Sequence, residues 1–148
     1  MEQAGLSLAT IVLFLPMVGL SILLFMKDGG ADEAEKSRNV DAVKWTAFGF
    51  SILTFIASII LWIFYDPANP ALQFVQRNDW LNLQVGERVI SSAYYVGVDG
   101  LSILLILLTT FIMPIAILSS FSSGIFKERG REKLYYIFML LLEWAMLG

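Results

Sequence analysis

Residues 6–26 read LSLATIVLFLPMVGLSILLFM, uncharged from end to end. At about 1.5 Å per residue, a helix through this block is roughly 31 Å long, enough to cross the hydrocarbon core of a bilayer. The residues ahead of it, Met1-Glu2-Gln3, are acidic rather than basic, and the block is too long for the apolar core of a secretory signal. It reads as a retained first membrane span. Working outward, Trp45–Tyr65 is a second uncharged block, with Trp45, Trp62 and Tyr65 near its ends, where aromatic rings favour the membrane interface. Gly100 to about Phe121 is the third. A fourth apolar run covers 134–148, roughly 22 Å of helix and short of the core thickness. It reads as a helix cut part-way, in the N-terminal part of a longer protein. The expected fold is therefore all-α integral membrane, with 1–148 as one membrane domain of a multi-span helix bundle.

Composition agrees. Of the 148 residues 57% are apolar and 16% charged, and mean hydropathy is +0.72. Soluble domains run closer to about half apolar and a quarter charged. Cysteine and histidine are both absent. Disulfides, iron–sulfur or histidine-haem ligation and nearly every zinc or copper site are thereby excluded, as are cysteine nucleophiles and serine–histidine machinery. A net charge of −3 gives no reason to expect nucleic acid. The expected partner is the lipid bilayer, and no catalytic, cofactor-binding or metal-binding residue is expected.

Basic residues set the expected orientation. The loop 27–44 holds Lys27, Lys36, Arg38 and Lys44, and the loop 122–133 holds Lys127, Arg129, Arg131 and Lys133. The long loop 66–98 holds only Arg77 and Arg88. The positive-inside rule then places the first and third loops in the cytoplasm and the second outside. Interspersed acids and bases make 27–44 a solvated connection rather than a partner-binding acidic tract. In the external loop, Pro67, Asn69 and Pro70 supply turn chemistry. Leu72 and Phe74 alternate with Gln73, and Ile90–Tyr95 mixes β-branched and aromatic residues, so a short hairpin on the membrane is expected there.

Few polar residues fall at membrane depth. Glu143 lies well inside the fourth apolar run, near the midplane if that helix starts at Leu134. A carboxylate there costs about 2.5–3.5 kcal/mol on insertion scales. Such a group is suited to holding and releasing a proton, which makes Glu143 a proton-relay candidate. The alternative is a structural glutamate hydrogen-bonded to a neighbouring helix, shared with Tyr136 one heptad earlier. Asp99 in Gly97-Val98-Asp99-Gly100-Leu101-Ser102 sits where the third helix begins and reads as its N-cap. Pro16 and Pro114 lie inside spans, where each removes one helical hydrogen bond; broken membrane helices often line polar cavities. Ser51, Thr54 and Ser58 share one face of the second span and read as a close-packing stripe.

The block Tyr94-Tyr95-Val96-Gly97-Val98-Asp99-Gly100-Leu101-Ser102, followed by Leu107-Leu108-Thr109-Thr110 and Pro114, resembles chain M of proton-pumping NADH:quinone oxidoreductase, respiratory complex I. This is the family of mitochondrial NADH dehydrogenase subunit 4. Arg131-Glu132-Lys133-Leu134-Tyr135-Tyr136, Leu141-Leu142-Glu143-Trp144-Ala145-Met146-Leu147-Gly148 and Leu72-Gln73-Phe74-Val75 ahead of Trp80 carry the same likeness. The resemblance implies an antiporter-like bundle of some fourteen helices, about three times this length, one of three such subunits in the membrane arm, taking part in proton translocation. It implies that NADH, flavin, iron–sulfur clusters and quinone sit on other subunits. It places the chain in the bacterial cytoplasmic membrane or, alternatively, the mitochondrial inner membrane. The family's principal glutamate and lysines fall beyond these residues, so the fragment alone is expected to be inactive, and Glu143 matches a glutamate of many bacterial members. A subunit of a multisubunit cation/proton antiporter shares the fold, but the tyrosine block argues against it. A small four-helix exporter would need a completed fourth helix. A structural membrane protein remains the reading in which Glu143 carries no proton.

Overall fold

A computed structural model describes residues 8–27, 29, 32–68, 72–85, 88–121 and 131–148, with side chains left undescribed over 76–85 and 88–93. Four helices, α1 (Leu8–Phe25), α2 (Glu33–Ile63), α3 (Gly100–Ser120) and α4 (Glu132–Leu147), are joined between α2 and α3 by the strands β1 (Gln73–Val85) and β2 (Arg88–Val98). Helices α1, α2 and α3 are each long and apolar enough to cross a membrane. The pattern is that of a protein solvated by lipid. Phe14, Val18, Leu53, Ile60, Leu104, Leu108, Phe138 and Leu142 point outward, while Ala9, Ala47, Ser51, Thr54, Ser58 and Thr110 are buried between helices. Lipid is as apolar as leucine, so helices associate through close packing of small residues and buried hydrogen bonds. Gly19 illustrates this: a Cβ there would lie 2.6 Å from Cγ of Phe50, so only glycine lets α1 approach α2 so closely.

Two apolar clusters hold the bundle. One, at the end away from the hairpin, joins Leu23, Val43, Ala47, Ile117, Tyr136 and Leu140. The other, at the hairpin end, joins Ala9, Val12, Leu61, Val98 and Ile103. The β-ladder is antiparallel, running from Gln73 opposite Val98 to Val85 opposite Arg88, with irregularities between Gln73 and Gln76 and between Asp79 and Leu81. Phe74, at the first irregularity, has φ of 54°. The hairpin foreseen at Leu72–Phe74 and Ile90–Tyr95 is thus present and much longer than expected. Asn69 and Pro70 lie outside the described residues.

Two loop boundaries need correction. α2 begins at Glu33, well ahead of Trp45, so most of the stretch read as the loop 27–44 is helical. Charge does not break a helix. Glu33 and Glu35 occupy the first turn, where the helix dipole favours acids, and Asp41 pairs with Lys44 three residues on. Likewise α4 begins at Glu132 rather than Leu134, and 122–130 lie outside the described residues.

Those helical extensions carry an ionic clamp. Lys133 Nζ donates to the carbonyls of Leu24 (3.1 Å) and Met26 (2.6 Å), groups that the end of α1 leaves unpaired. Lys44 Nζ lies 3.5 Å from Oε2 of Glu132, with their side chains only 15% and 11% exposed. Lys44→Met therefore strands a mostly buried carboxylate and is expected to cost about 1–3 kcal/mol. Adding Glu132→Gln should recover most of that loss. Thermal melting of the detergent-solubilised protein checks both, and equal stability of Lys44→Met and wild type contradicts the clamp.

Candidate functional site: a buried carboxyl near two helix breaks

Contacts between the helices fix their relative heights. Gly19 of α1 meets Phe50 of α2, and Leu13 of α1 meets Gly148 beyond α4. Ser58 of α2 and Thr110 of α3 share a hydrogen bond of 2.7 Å, and Ser51 of α2 donates to Oε1 of Glu143 on α4 at 3.3 Å. Counting along each helix from these contacts, Pro16, Thr54 and Pro114 fall in one layer across the bundle, and Glu143, level with Ser51, lies about one helical turn below it. All four are buried.

Glu143 is 0% exposed. Its Oε1 has the Ser51 hydroxyl, while its Oε2 is buried with no hydrogen-bond partner among the described residues. From sequence, α1, α3, the stretch 46–63 of α2 and the stretch 134–147 of α4 contain no lysine or arginine. A carboxylate in this place has no protein charge to offset the cost of its burial, so it needs a proton or a cation. Tyr136 does share its face of α4, but its hydroxyl bonds Ser120 Oγ at 3.0 Å, a heptad below Glu143. The expected Tyr136 partnership is replaced by Ser51. The stripe of Ser51, Thr54 and Ser58 is buried, as close packing requires, and also supplies hydroxyls that reach α4 and α3.

Pro16 and Pro114 both face the interior, where each deprives the carbonyl four residues earlier, of Val12 and Thr110, of its helical donor. Sequence alone located both prolines; that they lie level with each other and within about a turn of Glu143 needed the packing. Thr110 as the partner of Ser58 was not foreseen, and its signal was weak: a threonine pair in an otherwise apolar span.

The remaining motif anchors the start of α3. Asp99 is its N-cap, with Oδ1 accepting from the Ser102 backbone N–H at 2.7 Å. Hydrogen bonds from Ser102 hold the Asp99 carboxyl below its usual range. Gly97 leaves room for Val75, which a Cβ would approach to 3.2 Å, and a Cβ on Gly100 would lie 3.1 Å from the Tyr65 hydroxyl. A lowered folded-state pKa means that the cap contributes stability above the unfolded carboxylate pKa and loses it as pH falls through the folded value. Asp99→Ala should lower the melting temperature at neutral pH and flatten its fall on acidification. Asp99→Asn, an equally good cap, should keep the neutral-pH stability while flattening the same acid limb.

The family model described as NADH-ubiquinone oxidoreductase chain 4, amino terminus, matches residues 43–147, from within α2 to the end of α4. The chain belongs to this family. NADH-quinone oxidoreductase subunit M of Rhodobacter capsulatus is 34% identical over 142 residues, covering 96% of this chain and 24% of that protein. The subunit M of Rickettsia conorii is 36% identical over 144 residues, 97% of this chain and 26% of the relative. NADH-ubiquinone oxidoreductase chain 4 of Triticum aestivum is 32% identical over 133 residues, 90% and 23% of the two. The chain spans about a quarter of the length of these chain 4 and subunit M relatives. The family match takes in both the Asp99 helix start and Glu143.

Proposed function

We propose that this chain is the N-terminal part of an antiporter-like membrane-arm subunit of NADH:quinone oxidoreductase, taking part in proton translocation coupled to electron transfer from NADH to quinone. The observation that carries the proposal is the unbroken family match over 43–147, which spans α2, the hairpin, α3 and α4. The absence of histidine and cysteine accords with redox centres carried by other subunits. In this reading the partners are neighbouring membrane-arm subunits and lipid. The membrane is the bacterial cytoplasmic membrane, with the mitochondrial inner membrane as the alternative. The basic residues at the ends of α2 and α4 that meet in the Lys44–Glu132–Lys133 clamp face the cytoplasm, and the hairpin faces outside. Glu143 serves as a proton carrier in the bundle interior.

The test is removal of the complete protein that carries this chain. NADH oxidation should then no longer acidify the outside of sealed membrane vesicles, and reintroducing the protein should restore it. Undiminished NADH-driven proton movement, with loss instead of NADH-independent cation/proton exchange, would move the chain to an antiporter complex.

A further inference from the structure

From the Glu143 carboxyl, a file of hydroxyls and released carbonyls continues toward the hairpin end of the bundle among the described residues. Ser51, Thr54 and Ser58 lie on one face of α2 at intervals of a helical turn, about 5–6 Å apart. Ser58 reaches Thr110 on α3, and either hydroxyl can be the donor. The carbonyls of Val12 and Thr110, released by Pro16 and Pro114, fall at this same height, about two turns nearer the hairpin than Glu143. Next along is Thr10 of α1, 5% exposed, whose Oγ1 lies 3.5 Å from the hydroxyl of Tyr94 in the hairpin. Beside it, a cavity of about 380 Å³ lies between α1, β2, α3 and the last residues of α4, lined by Ala9, Val12, Tyr95, Ser102, Ile106 and Gly148 among others. Toward the opposite end the interior is the apolar cluster of Leu23, Val43, Ala47, Ile117 and Leu140, in which Tyr136 is already bonded to Ser120. The unpartnered Oε2 of Glu143, fully buried, ends the file on the inside.

We propose that Thr10, the Ser58–Thr110 pair, Thr54 and Ser51 form a proton path joining the Glu143 carboxyl to the hairpin face of the membrane. The path rests on the reading of Glu143 as a proton carrier. The gaps between successive hydroxyls on α2 are too long for direct hydrogen bonds, so a water spans each of them, held by hydroxyl lone pairs and the two released carbonyls. A proton entering from the hairpin cavity is accepted on one oxygen while that oxygen's own hydrogen passes to the next. Only O–H bonds form and break. The last proton converts the carboxylate of Glu143 to the neutral acid, and the reverse sequence returns it. Among the described residues, the other titratable groups flanking this file are Tyr135 and Tyr136 on α4, and Tyr65, Tyr94 and Asp99 at the hairpin end. The spans of α1 and α3 contribute none, and Lys44, Glu132 and Lys133 lie at the far end.

The test uses the complete protein in its complex, in sealed vesicles of known orientation with the pH of each face set separately. Dicyclohexylcarbodiimide, which reacts with protonated membrane carboxyls, is the probe, and labelled Glu143 is quantified by mass spectrometry. Labelling should follow the pH of the hairpin face, by up to about tenfold per pH unit, and ignore the pH of the other face. The double variant Ser58→Ala, Thr110→Val should slow that response by about tenfold or more, because it removes positioned proton-transfer groups. Ser58→Thr, which keeps the hydroxyl, should retain it. Thr10→Val breaks the same file at its outer end and serves if the double variant does not assemble. Labelling that follows the opposite face or neither face, or that is unaltered by both breaks, overturns the path. If Glu143→Gln leaves proton translocation intact while labelling still follows the hairpin face, the carrier reading fails and the access path stands.

Discussion

Glu143→Gln in the complete protein is expected to slow proton transfer through this bundle by at least about a hundredfold, the lower end of what a positioned proton-transfer group contributes. Glutamine keeps the volume of the side chain, and its carbonyl oxygen still accepts from Ser51 as Oε1 does at 3.3 Å. It cannot take up or release a proton. Its amide hydrogens occupy the place of Oε2, which has no partner among the described residues, so a stability loss of about 1–3 kcal/mol accompanies the change. The complex should therefore assemble and be slow, a combination that separates lost proton handling from lost packing. Proton uptake per NADH oxidised in reconstituted vesicles reads the first, and the melting temperature reads the second. Unchanged translocation with a lowered melting temperature makes Glu143 a structural residue, and no change in either leaves it without a role in the bundle.

Gly19→Val should give the largest purely structural effect. The valine Cβ would sit 2.6 and 2.7 Å from Cγ and Cβ of Phe50, atoms near the α2 backbone that cannot swing away. α1 must then move off α2, and overpacking of this kind costs about 1–3 kcal/mol or more. Because α1 also supplies Pro16 to the layer next to Glu143 and the carbonyls that hold Lys133, its displacement disturbs both the site and the clamp. Gly49 is the control. A Cβ there meets nothing within 4 Å, so Gly49→Ala should be neutral or, through better helix propensity, stabilising by up to about 1 kcal/mol. Thermal dissociation of the purified complex compares the two. Equal melting temperatures would mean that the α1–α2 contact is looser than described.

The spans were legible because lipid demands long uncharged blocks, and a carboxylate in such a block is conspicuous. What sequence could not supply was relative height. Pro16, Thr54, Pro114 and Glu143 lie far apart in the chain; the Ser58–Thr110 and Gly19–Phe50 contacts put the first three in one layer, and the Ser51–Glu143 contact puts Glu143 about a turn from it. The loop readings erred where charge was taken for irregular structure. Glu33–Lys44 is charged and still helical, because its acids and bases suit the helix dipole and pair along the helix. The hairpin was foreseen from two short stretches, Leu72–Phe74 and Ile90–Tyr95. Its length was not, since the polar strand 76–79 gives no alternation of apolar residues to follow. The stripe on α2 was recognised as small residues for packing. Its second use emerged only once Glu143 and Thr110 were seen opposite it.

The central claim, that Glu143 changes protonation as the complex works, is tested most directly by infrared difference spectroscopy of the complete complex on addition of NADH. The account predicts a carboxyl C=O band that changes with turnover, shifts with isotopically labelled glutamate and vanishes in Glu143→Gln. A turnover spectrum identical in wild type and Glu143→Gln would contradict it.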